Sequence, residues 1–175
     1  YSEWGAYNKM IKLEDFKKNG FKITWKLLYV SFNNSNYSLS SREIIDYATS
    51  LLNDYIDKNI SCLAACQIDE IDYINQYLEI LSENEDSDYN IEEKKVRLIY
   101  ILKNMPNYNT DYITGLIELG NIWASLDFPE DSPHIFQGRN NTICPNDYYT
   151  RDNYDYLYQR HLEWIEREKE KINNK

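Results

Sequence analysis

Residues 40–58 read SSREIIDYATSLLNDYIDK. Ser40 followed at the third position by Glu43 is the S-x-x-E capping pattern, in which each side chain can satisfy a backbone donor left over by the first helical turn. Ile44, Ile45, Ala48, Leu51, Leu52, Tyr55 and Ile56 then recur at the spacing that stacks side chains on one face of a helix. The spacing predicts a helix from Ser40 to about Lys58, with Asn59 as its stop.

The same reading extends in both directions. Downstream, a short apolar piece, 60–66, precedes Asp69, an expected N-cap for a helix that buries Ile71, Ile74, Leu78 and Leu81. The loop ENEDSDYN, 83–90, closes that helix. Asn90 with Glu93 opens the next one, through about Asn104. Its centre, 96–102, is apolar nearly all round, which suits a buried central helix better than a buried strand. Pro106 stops it. Thr110 is the expected cap of a following helix with Ile113, Leu116, Ile117 and Trp123 on its stripe, where Gly120 would let another helix approach. Residues 127–145 hold Pro129, Pro133, Gly138 and Pro145 and read as a long loop. A last helix, from about Asn153 to Lys171, carries Tyr154, Leu157, Tyr158, His161, Leu162 and Ile165 on its apolar face. Upstream, Trp25, Leu28, Tyr29 and Phe32 fit a helix, while Ile23, Trp25, Leu27 and Tyr29 alternate as a strand would; the helix is favoured. With only 5 Gly and no Asn-Gly or Asp-Gly turn between two alternating runs, hairpins are not signalled. The expected class is all-α: about six helices packed as antiparallel hairpins around one core, with a long Pro-containing loop before the C-terminal helix.

The length, 175 residues, fits a single helical domain over 1–175. No run of eighteen apolar residues occurs, so no membrane helix is expected. The stretch YSEWGAYNKMIK at the start of the sequence has no apolar core of the secretory type. Three cysteines, Cys62, Cys66 and Cys144, are an odd and sparse set, which points to a reducing, cytoplasmic setting rather than a disulfide framework. Four N-x-S/T patterns, at Asn33, Asn36, Asn59 and Asn140, arise readily by chance in a chain so rich in Asn and carry little weight.

Charge is the strongest signal. The chain holds 19 Lys+Arg against 29 Asp+Glu, a formal net of -10. Residues 43–93 hold fourteen of the acids and one base, Lys58; the remainder of the chain is slightly basic. An acidic chain is a poor ligand for nucleic acid, because phosphate contacts need concentrated Lys and Arg. The acids Asp69, Glu70, Asp72, Glu79, Glu83, Glu85, Asp86, Asp88, Glu92 and Glu93 are expected to crowd one side of the fold. Such a run is either a solvated face or a surface for a basic protein, whose capture a complementary field accelerates. The carboxylates of 83–90 lack the order and the glycine of a Ca²⁺ loop, and no metal or cofactor is expected.

Catalytic patterns are missing. Cys62 and Cys66, four apart on an expected helix, fall short of a closed zinc site and read as structural thiols. His161 lies on an apolar stripe and reads as a hydrogen-bonded core residue. His134, in the Pro-containing loop, is the better-placed reactive group, but no nucleophile or carboxylate is paired with it by spacing. There is no G-x-S-x-G, H-E-x-x-H or Walker sequence. The expectation is a protein that is not an enzyme. A small hydrolase using His134 with carboxylates is the less favoured alternative. The seventeen tyrosines, five of them within 148–158, supply residues that are common in recognition surfaces.

Three stretches, ITWKLLYVSF (23–32), LSSREIIDYATSLL (39–52) and NIWASLDFPED (121–131), carry a resemblance. Together they resemble a family of bacterial domains of unknown function, small and mostly helical cytoplasmic proteins. Some members are similar in size and setting to the immunity proteins that neutralise polymorphic or contact-dependent toxins. The resemblance spans about 23–131 and brings no catalytic residues. It implies an immunity protein that occludes a basic, nuclease-type toxin through the acidic face. An adaptor that binds some other basic protein is the alternative.

Overall fold

The computed structural model describes residues 10–34, 36 and 38–174. Among them the secondary structure is entirely helical, in nine helices where the sequence suggests about six. The additions are short: α1 (Leu13–Lys18), α4 (Lys58–Ala64) and α8 (Pro145–Tyr148). The described residues fall into two compact units, 10–100 and 101–174, with the boundary inside one helix.

The first unit contains α1, α2 (Trp25–Phe32), α3 (Ser41–Ser50), α4, α5 (Ile71–Glu83) and most of α6 (Tyr89–Asn104). Helix α2 packs on α5, and α4 packs on both α3 and α5. Phe16, Leu27, Leu28, Leu39, Ile44, Leu63, Ile74 and Leu78 are fully buried there. The segment 23–32 is the favoured helix, begun by Thr24, whose hydroxyl accepts from Leu27 N–H at 3.0 Å. Burial along α2 does not alternate as in a strand, since Leu27, Leu28, Val30 and Ser31 are all buried, and a donor left over by its first turn, Lys26 N–H, is met by Glu85.

The helix read over 40–58 is shorter than its periodicity suggests. Ser40 Oγ does cap it, accepting from Glu43 N–H at 3.2 Å. Glu43 reaches back to Leu13 N–H of α1 at 3.2 Å. But α3 ends at Ser50, because two side chains downstream offer the backbone other partners: Asn53 accepts from Tyr55 N–H at 2.9 Å and Asp57 from Asn59 N–H at 2.7 Å, opening α4. Short polar side chains compete with the helix ladder in this way. Leu52 and Tyr55, expected on the buried face, are exposed, Tyr55 at 98%.

Other caps shift by a residue. Helix α5 starts after Glu70 rather than Asp69, and Glu70 accepts from Gln67 N–H at 2.7 Å. Ile71, expected in the core, is exposed. Asp88, not Asn90, caps α6, accepting from Asn90 N–H at 2.8 Å. The centre of α6 is a buried helix, with Val96, Leu98, Ile99, Tyr100 and Ile101 all shielded from solvent.

The second unit contains the last residues of α6, then α7 (Tyr112–Ser125), α8 and α9 (Arg151–Asn173). Asp111, not Thr110, caps α7, accepting from Thr114 N–H at 3.0 Å. Helix α7 packs on α9 around Leu116, Leu119, Tyr148, Tyr154 and Leu157. The buried stripe of α7 is Leu116, Leu119, Ile122 and Trp123; Ile113 and Ile117, expected there, are exposed. Leu162 of α9 is likewise exposed. Gly115, rather than Gly120, is the close-approach glycine: an added Cβ would lie 2.4 Å from the Tyr154 ring of α9, whereas at Gly120 it would meet His134 and Phe136 of the loop at 3.4 and 3.5 Å.

Candidate functional site

Helix α5 orders the acidic region of the first unit. Asp72, Glu79 and Glu83 stand at steps of seven and four, so they fall in one line along the helix. All three are exposed, and none makes an ion pair among the described residues. The opposite side of α5 carries the buried Ile74, Leu78 and Leu81. A helix with apolar and charged residues so divided must dock one face and present the other.

Helix α2 borders this line. Asn33 Nδ2 donates to Asn75 Oδ1 at 2.6 Å, joining α2 to α5. Tyr29 lies next to the carboxylates. Burial raises its phenol pKa above the usual 10.0, and the negative charge of Glu79, neighbouring Tyr89 and the charge of Glu83 raise it further. Tyr89 and, on α5 itself, Tyr73 are exposed at 48% and 57%. The resulting surface is a line of unpaired carboxylates with aromatic rings at its edge.

The ten acids singled out by sequence do not act alike. Asp69, Asp72, Glu79, Glu83, Asp86 and Glu93 are exposed. Four others have structural duties. Glu70 and Asp88 bond backbone donors at the starts of α5 and α6. Glu85 accepts from Lys26 N–H at 2.7 Å, placing a carboxylate at the N-terminus of α2, where the helix dipole favours it. Glu92 is 3% exposed and pairs with Lys95 at 3.1 Å. Bases absent from 59–93 in sequence also arrive from elsewhere: Lys26 Nζ of α2 donates to the Ser87 carbonyl at 2.5 Å. Sequence counting identified the region but could not sort structural acids from presented ones.

The remaining candidates resolve as follows. Cys62 and Cys66 are half-buried free thiols and Cys144 is exposed. Cys66 Sγ–H donates to the Cys62 carbonyl at 3.4 Å, and the neighbouring Cys62 thiol raises the Tyr77 pKa above the usual 10.0. Burial, then the charge of Glu70, pushes the Cys66 thiol up. Among the described residues no three His, Cys, Asp or Glu side chains converge as metal ligands would. None of the described helices is long and apolar enough to cross a membrane.

Both histidines are buried in the second unit with their rings 5.6 Å apart. His161 Nε2 accepts from the Trp123 indole N–H at 2.8 Å, so its proton sits on Nδ1 and is donated to the Leu157 carbonyl at 2.6 Å. Burial lowers its pKa to about 4; the Leu157 carbonyl opposes this and Arg160 adds to it. His134 Nε2 lies 3.0 Å from the Tyr148 hydroxyl, which itself donates to the Ile135 carbonyl at 2.7 Å. That leaves Tyr148 to accept from Nε2–H, and His134 Nδ1 has no hydrogen-bond partner. Burial, then neighbouring His161, lowers the His134 pKa to about 3. No carboxylate hydrogen-bonds either imidazole among the described residues.

Comparison with curated proteins and with solved structures gave no match. Comparison with family models matched one, over residues 13–169, nearly the whole described chain. The chain therefore belongs to DUF2247, a family of uncharacterized proteins conserved in bacteria.

Proposed function

We propose that this protein is a stoichiometric, non-catalytic inhibitor of the immunity type, which captures a basic polypeptide, a nuclease-type toxin domain, on the α5 face of its first unit. The observation that carries this reading is the line Asp72, Glu79 and Glu83, exposed and unpaired beside Tyr29 and Tyr89. Like charges along one helix face repel one another, a cost that a docking Lys- and Arg-rich surface offsets. A field of one sign steers a cationic partner and raises its association rate, while rings at the edge of the patch supply contact area at low entropy cost. A nuclease cleft is basic because it holds phosphate, so a carboxylate surface can occupy it in place of nucleic acid. The state of the better-placed histidine favours a binding protein over a hydrolase: His134 is 8% exposed, held neutral by burial, and has no carboxylate partner.

The test is capture of a partner on the immobilised full chain from lysate and secreted fractions of the source strain, washed at high salt. A single basic polypeptide retained at 1:1 is expected. The triple variant Asp72→Lys, Glu79→Lys, Glu83→Lys, which spares the acids that bond the backbone, should lose it. Equal retention by the triple variant would remove this face from the reading; no retained basic polypeptide would remove the reading.

A further inference from the structure

The second unit contains a cleft that the acidic face does not use. It encloses about 340 Å³ between α7 and the loop that follows it, within the size range of small-molecule sites. No charged side chain lines it. With no counter-charge in the lining, the cleft suits an uncharged occupant better than an ion.

The polar groups in the lining are amides, a phenol and an imidazole. Asn121 of α7 and Tyr149 both line this cleft, and neither side chain has a hydrogen-bond partner among the described residues. Gln137 donates from Nε2 to the Ile143 carbonyl at 2.8 Å, which fixes its amide and leaves Oε1 to accept. His134, more than nine-tenths buried, contributes to the wall, with its Nε2 on the Gly120 side and held by the Tyr148 hydroxyl at 3.0 Å. Donors and acceptors left open together in a mostly apolar cleft are what a ligand with a hydrogen-bonding edge requires.

The walls are aromatic and are held at a cost. Phe128 meets Phe136 with centroids 5.0 Å apart, and Phe136 meets His134 at 4.6 Å. Asp127 and Phe128 both have left-handed φ, 59° and 53°, where non-glycine residues are strained. They end α7 in a Schellman turn: Phe128 N–H reaches the Trp123 carbonyl and Asp127 N–H the Ala124 carbonyl. The Arg139 guanidinium lies 3.7 Å from the Phe128 ring centroid and stacks on it. Gly120 supplies an independent clue. A glycine inside a helix is less stable than alanine there, and a Cβ here would meet its neighbours at ordinary contact distance. Packing does not demand this glycine; what it preserves is open space in the cleft.

We propose that this cleft binds a small, uncharged, planar nitrogen heterocycle with a donor–acceptor edge, of the nucleobase or ring-amide class. The ring stacks against Phe128, Phe136 and Tyr149, and its edge is met by the Asn121 and Gln137 amides, which pair with such edges in the manner of side-chain amides on bases.

The test is an NMR titration of the full chain, labelled with ¹⁵N, using adenine, uracil and nicotinamide as probes and indole as a ring of similar size with a single donor. Saturable shifts confined to 116–124, 134–137 and 148–149 with at least one of the three probes are expected. Asn121→Leu should weaken that binding about tenfold or more, and Gly120→Leu should abolish it. Folding of both variants is checked by circular dichroism; should Gly120→Leu not fold, the half-buried Asn121 variant decides. The proposal is overturned if no probe gives a saturable shift, if indole binds as tightly as the best probe, or if Asn121→Leu binds as wild type.

Discussion

Two glycines of α7 separate what packing requires from what it leaves open. At Gly115 an added methyl would enter the ring of the fully buried Tyr154. Gly115→Ala is expected to lower stability by about 1–3 kcal/mol through overpacking, read as a lower urea midpoint. Gly120→Ala has room for its methyl and gains helix propensity, so its midpoint should rise, by up to about 1 kcal/mol. The Trp123–His161 bond gives a second residue-scale test. His161→Leu keeps much of the volume but strands the indole N–H in the core, and a loss of about 1–3 kcal/mol is expected in the same assay. The sequence reading of His161 as a hydrogen-bonded core residue matches the geometry, because a histidine on an apolar stripe must find partners to be buried at all. The partner itself, thirty-eight positions away, has no local signature.

At the scale of elements, the acids of the first unit divide into two kinds with opposite expected behaviour. Glu85 bonds the first turn of α2, so Glu85→Ala should cost about 1–2 kcal/mol of stability. Glu83, two residues earlier and exposed on α5, should tolerate Glu83→Ala within about 0.5 kcal/mol while slowing capture of a basic partner. Thermal denaturation of the two variants, side by side, checks the division. Helix boundaries show the same dependence on detail. The apolar period of 40–58 runs through Leu52 and Tyr55, yet α3 stops at Ser50 because Asn53 and Asp57 turn their side chains onto the backbone. Those residues are visible in the sequence as turn formers. Which of two local signals wins depends on whether Leu52 and Tyr55 find a surface to pack on, and they do not.

For the whole molecule, the two buried histidines place one defined source of acid sensitivity in the second unit. Their pKa values in the fold, about 3 for His134 and about 4 for His161, lie below the ordinary 6.5. Below that value the unfolded chain binds protons that the folded chain refuses. Stability is therefore full above about pH 6.5 and falls as pH drops toward 4 and then 3, by up to about 1.4 kcal/mol per unit for each histidine. Hydrogen exchange at pH 7 and pH 4.5 should show amides of 112–125 and 151–173 losing protection, with those of 71–83 changing less. Replacing His134 and His161 together with Gln should flatten the pH dependence whatever its effect on stability at pH 7.

The all-helical class, the long loop before the last helix and the concentration of acid within 43–93 were determined by the sequence alone. Each rests on signals a few residues long: a period near 3.6, a capping side chain, a proline, a count of charges. Which side of each helix is covered, which acids are presented and which are consumed by caps, and which glycine lies under a tyrosine were decided only by the tertiary structure. Burial is a property of what arrives from elsewhere in the chain. Lys26 reaching Ser87, Glu85 reaching α2, and His134 meeting His161 join positions far apart in sequence, and no local pattern specifies such a meeting.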